Sequence, residues 1–142
     1  MLFKAVLLAL IPAIVAVDHP VTVAQGGGLT FTPNQVVADP GDTITFTFVS
    51  KNHTVTTTNF SGAVCPPPDG GVGPNGFDSG FLPVVGTDTP QFVFTVVDTE
   101  PHFAACKQGG GTHCQAGMTF ALNPTEEMTF AEFDANARKS QL

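Results

Sequence analysis

The sequence predicts an all-β domain, a sandwich or barrel of short strands closed by one amphipathic helix at its C-terminal end. Three observations carry that expectation. Thr43–Val49 reads TITFTFV, with Ile44, Phe46 and Phe48 on one face and Thr43, Thr45 and Thr47 on the other, the period of two of a half-buried strand. The chain of 142 residues holds 13 Phe but no Trp or Tyr, alongside 15 Gly and 12 Pro, a mixture that favours short strands joined by tight turns. The tail alone changes to helical spacing.

The elements follow in order. Met1–Ala16 (MLFKAVLLALIPAIVA) has a single cation, Lys4, then an apolar run, then a small residue at Ala16. This is the pattern of a secretory signal cleaved after Ala16. Pro12 interrupts the run, which falls short of the ~20 residues needed to span a bilayer. The domain proper is therefore residues 17–142, and a secreted, extracellular protein with neither membrane span nor lipid-anchor tail is expected. Pro20–Gln25, Leu29–Phe31, Gln35–Ala38, Thr43–Val49, Thr54–Thr58, Gln91–Val97 and Met118–Leu122 are the strand candidates. Gly26–Gly28 and Asp39–Asp42 are turns, and 64–76 (VCPPPDGGVGPNG) is a loop. Thr129–Glu132 fits a capping box, and Phe130, Phe133 and Ala137 share one helix face, so a helix is expected over 129–139. No internal repeat or second domain is visible.

The charge excludes some functions. Twelve acidic residues against five basic ones leave a net charge of −7, without the clustered Lys and Arg that nucleic acid demands. The acidic residues are scattered, with no paired carboxylates suited to acid/base work. No Ser sits in a nucleophile elbow and no glycine loop precedes a helix to cradle phosphate. His-x-His pairs, which a trinuclear copper oxidase would need, are absent, so an enzyme is not expected.

The chemistry concentrates elsewhere. Three Cys (Cys65, Cys106, Cys114) are an odd number, so one thiol is left over in an oxidising compartment. Residues 106–118 (CKQGGGTHCQAGM) hold thiol, imidazole and thioether in one loop, and His53 supplies a second imidazole. Two His and one Cys with a weak axial Met form the donor set of a blue-copper site. If His113 and Cys114 lie on an extended segment, they point to opposite sides. Cys114 would then face Cys65 and leave Cys106 as the thiolate. A Cys65–Cys106 bridge with Cys114 free is the alternative.

The chain resembles the cupredoxins, in particular phytocyanin-like fungal extracellular proteins of the serine-rich type. The resemblance rests on Gly28–Pro33 (GLTFTP), Gly41–Ile44, Asn52–Val55 (NHTV), Gly76–Phe81 (GFDSGF), His113–Met118 (HCQAGM) and Asn123–Pro124. It implies a Greek-key β-sandwich with one mononuclear type 1 copper ion. It further implies His53, Cys106, His113 and Met118 as ligands, a Cys65–Cys114 disulfide, and one-electron transfer with a redox protein or small-molecule partner. A monomer is expected. The chain departs from such relatives in having only four Ser, in lacking large aromatics before Cys106, and in a longer, looser Cys106–His113 loop with three consecutive Gly. A secreted binding module on the same scaffold, with copper structural or absent, is the competing reading.

Two assignments remain beside the site. Asn52 and Asn59 both lie in glycosylation sequons. Asn52 is expected to join the ligand-bearing loops by hydrogen bonds, and Asn59 to be the glycan acceptor. His19 either starts the first strand or, in a chain beginning Val17-Asp18-His19, completes a square-planar Cu(II) site with the amine and two amides.

Overall fold

The structure, a computed structural model, describes residues 10–142. Residues 1–9 of the expected signal segment lie outside the described residues. Residues 10–17 are exposed and belong to no strand or helix.

Ten short strands follow: β1 (Asp18–Val23), β2 (Phe31–Thr32), β3 (Gln35–Val36), β4 (Thr43–Phe48), β5 (Asn52–His53), β6 (Thr56–Thr58), β7 (Leu82–Pro83), β8 (Gln91–Thr95), β9 (His102–Ala105) and β10 (Thr119–Leu122). Two helices accompany them, the single turn α1 (Thr112–Gln115) and α2 (Phe130–Arg138). One sheet has the order β2-β1-β4-β8 and the other β3-β10-β9-β6, with β5 and β7 forming a separate ribbon. β1 runs parallel to β4, pairing Asp18 with Thr43 and Val23 with Phe48. β3 likewise runs parallel to β10. Both parallel pairs are closed by antiparallel partners, β4 with β8 and β10 with β9.

The two sheets meet through aromatic rings. Phe46 of β4 lies edge-on to Phe120 of β10 with centroids 5.1 Å apart, and Phe31 approaches both. Ile44, Phe46 and Phe48 are all fully buried, as the alternation in Thr43–Val49 predicts. Phe77, at the end of the Pro/Gly loop, plugs the same core against Phe46 and Phe94.

The second sheet is covered on its other face too. Ala104, Phe120 and Leu122 face the first sheet, while Phe103, Ala105 and Ala121 face α2. Phe133 and Ala137 of α2 are buried there, with the Phe133 and Phe60 rings tilted against Phe103 at 4.9 and 4.8 Å. The Thr129 hydroxyl accepts from the Glu132 amide at 3.1 Å, capping the helix where the sequence places its start.

Several strand boundaries differ from the sequence reading. β1 starts two residues early and stops at Val23, because Ala24 turns to φ 62° and leads into a 3₁₀ turn at Gln25–Gly27. The expected strand Thr54–Thr58 forms only over its second half, as β6, and a separate short strand, β5, precedes it across a break at Thr54–Val55. That break brings His53 onto the ribbon with β7, where it pairs with Leu82.

Candidate metal centre

His53, Cys106 and His113 converge at one end of the sandwich. Three elements deliver them. His53 ends β5. Cys106 follows β9 in the same inward alternation as Ala104, and its thiol is free and fully buried. His113 sits in α1. Met118, immediately before β10, closes the loop: its carbonyl accepts from the Cys106 amide at 3.1 Å and its amide donates to the His113 carbonyl at 3.0 Å. The Met118 side chain is wholly buried in the core that holds Cys106.

The donor atoms form a triangle. His53 Nδ1 and His113 Nδ1 are 3.3 Å apart, and Cys106 Sγ lies 3.7 Å from the first and 3.8 Å from the second. A triangle with these sides has its centre about 2.1 Å from each corner, close to metal–imidazole and metal–thiolate bond lengths.

Electrostatics prepare the donors for a cation. Burial, with the charges of His113 and Lys51, pulls His53 down to about 4, and burial with Lys51 lowers His113 as well. Both rings therefore stay neutral near pH 7 with a lone pair free. Burial pushes the Cys106 thiol up, against the amides of Thr54 and Gln108, so a bound metal has a proton to displace.

Fit to copper follows from the donor chemistry. Two imidazoles and one thiolate in a near-equilateral triangle, with Met118 buried in the same core, suit a single copper ion better than the tetrahedral sulfur-rich set that selects zinc. His53 Nε2 is buried with no hydrogen-bond partner among the described residues, which leaves that ring held by packing and by what its Nδ1 binds.

The cysteine question is settled by geometry. Cys65 and Cys114 are bonded, with Cα atoms 5.7 Å apart. The reason differs from the extended-segment argument, because His113 and Cys114 lie on a helical turn. About 100° of rotation per residue sends His113 to the donor triangle and Cys114 to the α2 side of the sheet.

The loop is not loose either. Gln108–Gly111 makes a tight turn, with Gly109, Gly110 and Gly111 at φ 68°, 63° and 99°, and leads into α1. Gly111, at φ 99°, is buried where a Cβ would stand 3.0 Å from Pro66 and 2.7 Å from Leu142.

Asn52 does not join the ligand loops, since its Oδ1 is buried without a partner among the described residues. Thr54 does so instead. Its amide donates to Cys106 Sγ at 3.4 Å and its hydroxyl accepts from the Lys107 amide at 3.1 Å. Behind it, the Thr56 hydroxyl reaches Asp78, whose carboxylate also holds the Lys107 ammonium at 2.8 Å. Sequence reasoning missed both roles; an acid two residues after Gly76 and a cation after Cys106 were the only signals.

His19 is committed elsewhere. Its Nε2 lies 3.0 Å from Asp42 Oδ2, and its strand pairs with β4 from Asp18 onward. A square-planar chelate over Val17–His19 would take the Val17 nitrogen, held here by Asp42, and the amides of Asp18 and His19 in β1, so the first-strand role is the one the structure supports.

No protein-family model matches the chain. It is 34% identical over 104 residues to a probable GPI-anchored cupredoxin of Arthroderma benhamiae, a match covering 73% of this chain and 50% of that protein. The chain thus spans about half the length of the curated relative it matches. This chain belongs to the cupredoxin family. Among solved structures, auracyanin B is similar at a TM-score of 0.50 and 18% identity, over 81% of this chain and 93% of that one. Pseudoazurin from Hyphomicrobium denitrificans gives a TM-score of 0.50 at 18% identity, over 88% and 99%. At that identity the likeness speaks for the cupredoxin sandwich, the architecture built above from pairing and packing.

Proposed function

We propose that this cupredoxin is an extracellular one-electron carrier in which His53 Nδ1, His113 Nδ1 and Cys106 Sγ would hold one mononuclear copper, with Met118 as a fourth, weaker donor. The observation that carries the reading is the donor triangle, assembled from three separate elements around the one cysteine kept out of the disulfide. When bound, copper supplies a Cu(II)/Cu(I) couple, with the soft Cys and Met favouring Cu(I) and the imidazoles serving both states.

The chain's own residues do the rest. Loop 106–118, clasped by its backbone bonds to Met118, keeps the donors near one geometry, which limits reorganisation on electron transfer. Full burial of His53 and Cys106 excludes water. His113 is the donor that reaches the surface, so a redox protein or small-molecule partner would approach its ring. Among the described residues no helix is long and apolar enough to cross a membrane. The GPI-anchored description of the relative supports an extracellular setting.

The test is the visible spectrum with Cu(II). An intense thiolate-to-copper band is expected in the wild type, lost in Cys106→Ser and kept in Cys65→Ser. A band surviving Cys106→Ser overturns the ligand assignment. No band in the wild type would leave a binding module on the same scaffold.

A further inference from the structure

The backbone nitrogen of Val17 lies 2.9 Å from Asp42 Oδ1. It is the last residue before β1, and residues 10–16 ahead of it are exposed and unpaired. Asp42 is a built acceptor. Its other oxygen takes the His19 ring at 3.0 Å and the Asp39 amide at 3.1 Å, and its residue is only 8% exposed. The Val17 carbonyl is engaged as well, accepting from the Thr43 amide at 2.9 Å. Val17 is thus pinned from both ends to the β3–β4 turn, while everything before it projects into solvent.

A carboxylate accepts from a neutral amide, as Asp42 does from Asp39, but binds an ammonium more strongly. We propose that the bond between Ala16 and Val17 is a processing site and that the amine released on Val17 docks as an ammonium on Asp42, locking β1 to β4. The reading rests on the secretory route proposed above, and a signal-type peptidase is the catalyst it requires. Hydrolysis consumes one water: the Ala16 carbonyl carbon gains the hydroxyl and leaves as a carboxylate. Val17 nitrogen keeps the bonding pair and, protonated from solvent, carries a positive charge. The donor–acceptor contact already present then becomes charge-assisted, roughly twice as strong as its neutral counterpart. The position matters because β1 is the parallel partner of β4, the central strand of its sheet.

The geometry also selects the cleavage point. Cutting one residue earlier leaves Ala16 between the charge and Asp42. Cutting one residue later removes the Val17 carbonyl that receives Thr43. Only an amine on Val17 keeps both contacts and also sets the charge directly on Asp42.

The experiment has two arms. The first sequences the N-terminus of the full chain secreted from a eukaryotic host: Val17 as first residue is expected, and any other first residue, or retention in the cell, overturns the processing site. The second compares urea midpoints of a chain starting at Val17, the same chain with one Gly before Val17, the N-acetylated chain and the unprocessed chain, each with and without Asp42→Asn. The free Val17 amine should give the highest midpoint, and its advantage should vanish in Asp42→Asn and shrink in high salt. Equal midpoints, or an advantage that survives Asp42→Asn and high salt, overturn the docking. Should Asp42→Asn fail to fold, the acetylated and salt comparisons on the wild-type side chain decide it. None of these measurements needs copper, so their failure is distinct from failure of the electron-transfer reading.

Discussion

Met118 shows how much one residue can decide at the end of a sandwich. Its backbone closes the loop from both sides, and its side chain is buried with Cys106. Methionine fills irregular gaps in ordinary cores, so burial alone does not separate a packing role from a ligand role. Chemistry does. In Met118→Gln a harder oxygen donor would replace the thioether and favour Cu(II). The reduction potential should fall while copper stays bound, which voltammetry of the two proteins reads directly. An unchanged potential would make Met118 a core residue. The residue types of the site, two His, one Cys and one Met, were legible in the sequence. The side chain that ties the loops together was not, because Thr54 is one Thr in the Thr-rich run 54–58, which carries no distinguishing pattern, and the neighbouring Asn52 offers a more conspicuous amide.

Between elements, legibility followed length. β4 and α2 each bury a face over six and nine residues, long enough for a period of 2 or 3.6 to stand out. β5 and β7 have two residues each and α1 has four, too few for any period. Yet these short elements carry His53 and His113. The glycine run before His113 reads as slack in a sequence; in three dimensions it is a tight corner. Gly111 combines φ 99° with a wall formed by Pro66 and Leu142. Gly111→Ala should therefore cost at least about 1 kcal/mol, since a non-glycine side chain in that backbone region is strained before any clash is counted. A lower urea midpoint and faster loss of copper to a chelator are the expected outcomes. A variant matching the wild type in both would mean that the loop tolerates slack and that its packing does not hold the site.

Across the whole molecule, acidic groups do structural work at both ends of the sandwich. Asp42 ties the start of β1 to the turn before β4, and Asp78 ties the Pro/Gly loop and Thr56 to Lys107 beside the thiolate. Hydrogen bonds from His19, Val17 and Asp39 hold Asp42 at about 2. Burial pulls Asp78 upward, but Lys107 and the amides of Gly70 and Gly80 outweigh it and hold the group at about 2. An unfolded chain releases these protons near 3.9. The folded state therefore gains stability that is complete above that value and is lost as pH falls from about 4 toward 2, where the unfolded chain takes up protons first. For Asp78, whose side chain is 13% exposed, the gain is on the order of 2 kcal/mol. Urea midpoints of the metal-free protein should begin to fall below about pH 6.5, where the unfolded chain protonates the His53 and His113 rings that burial keeps neutral in the fold, and fall further across the carboxylate window. Asp78→Asn keeps the shape and removes the charge, so its midpoint should lie below the wild type at pH 6 and converge on it near pH 2.5. Parallel curves for the two proteins would show that Asp78 carries none of the acid sensitivity and that its contacts act as neutral hydrogen bonds.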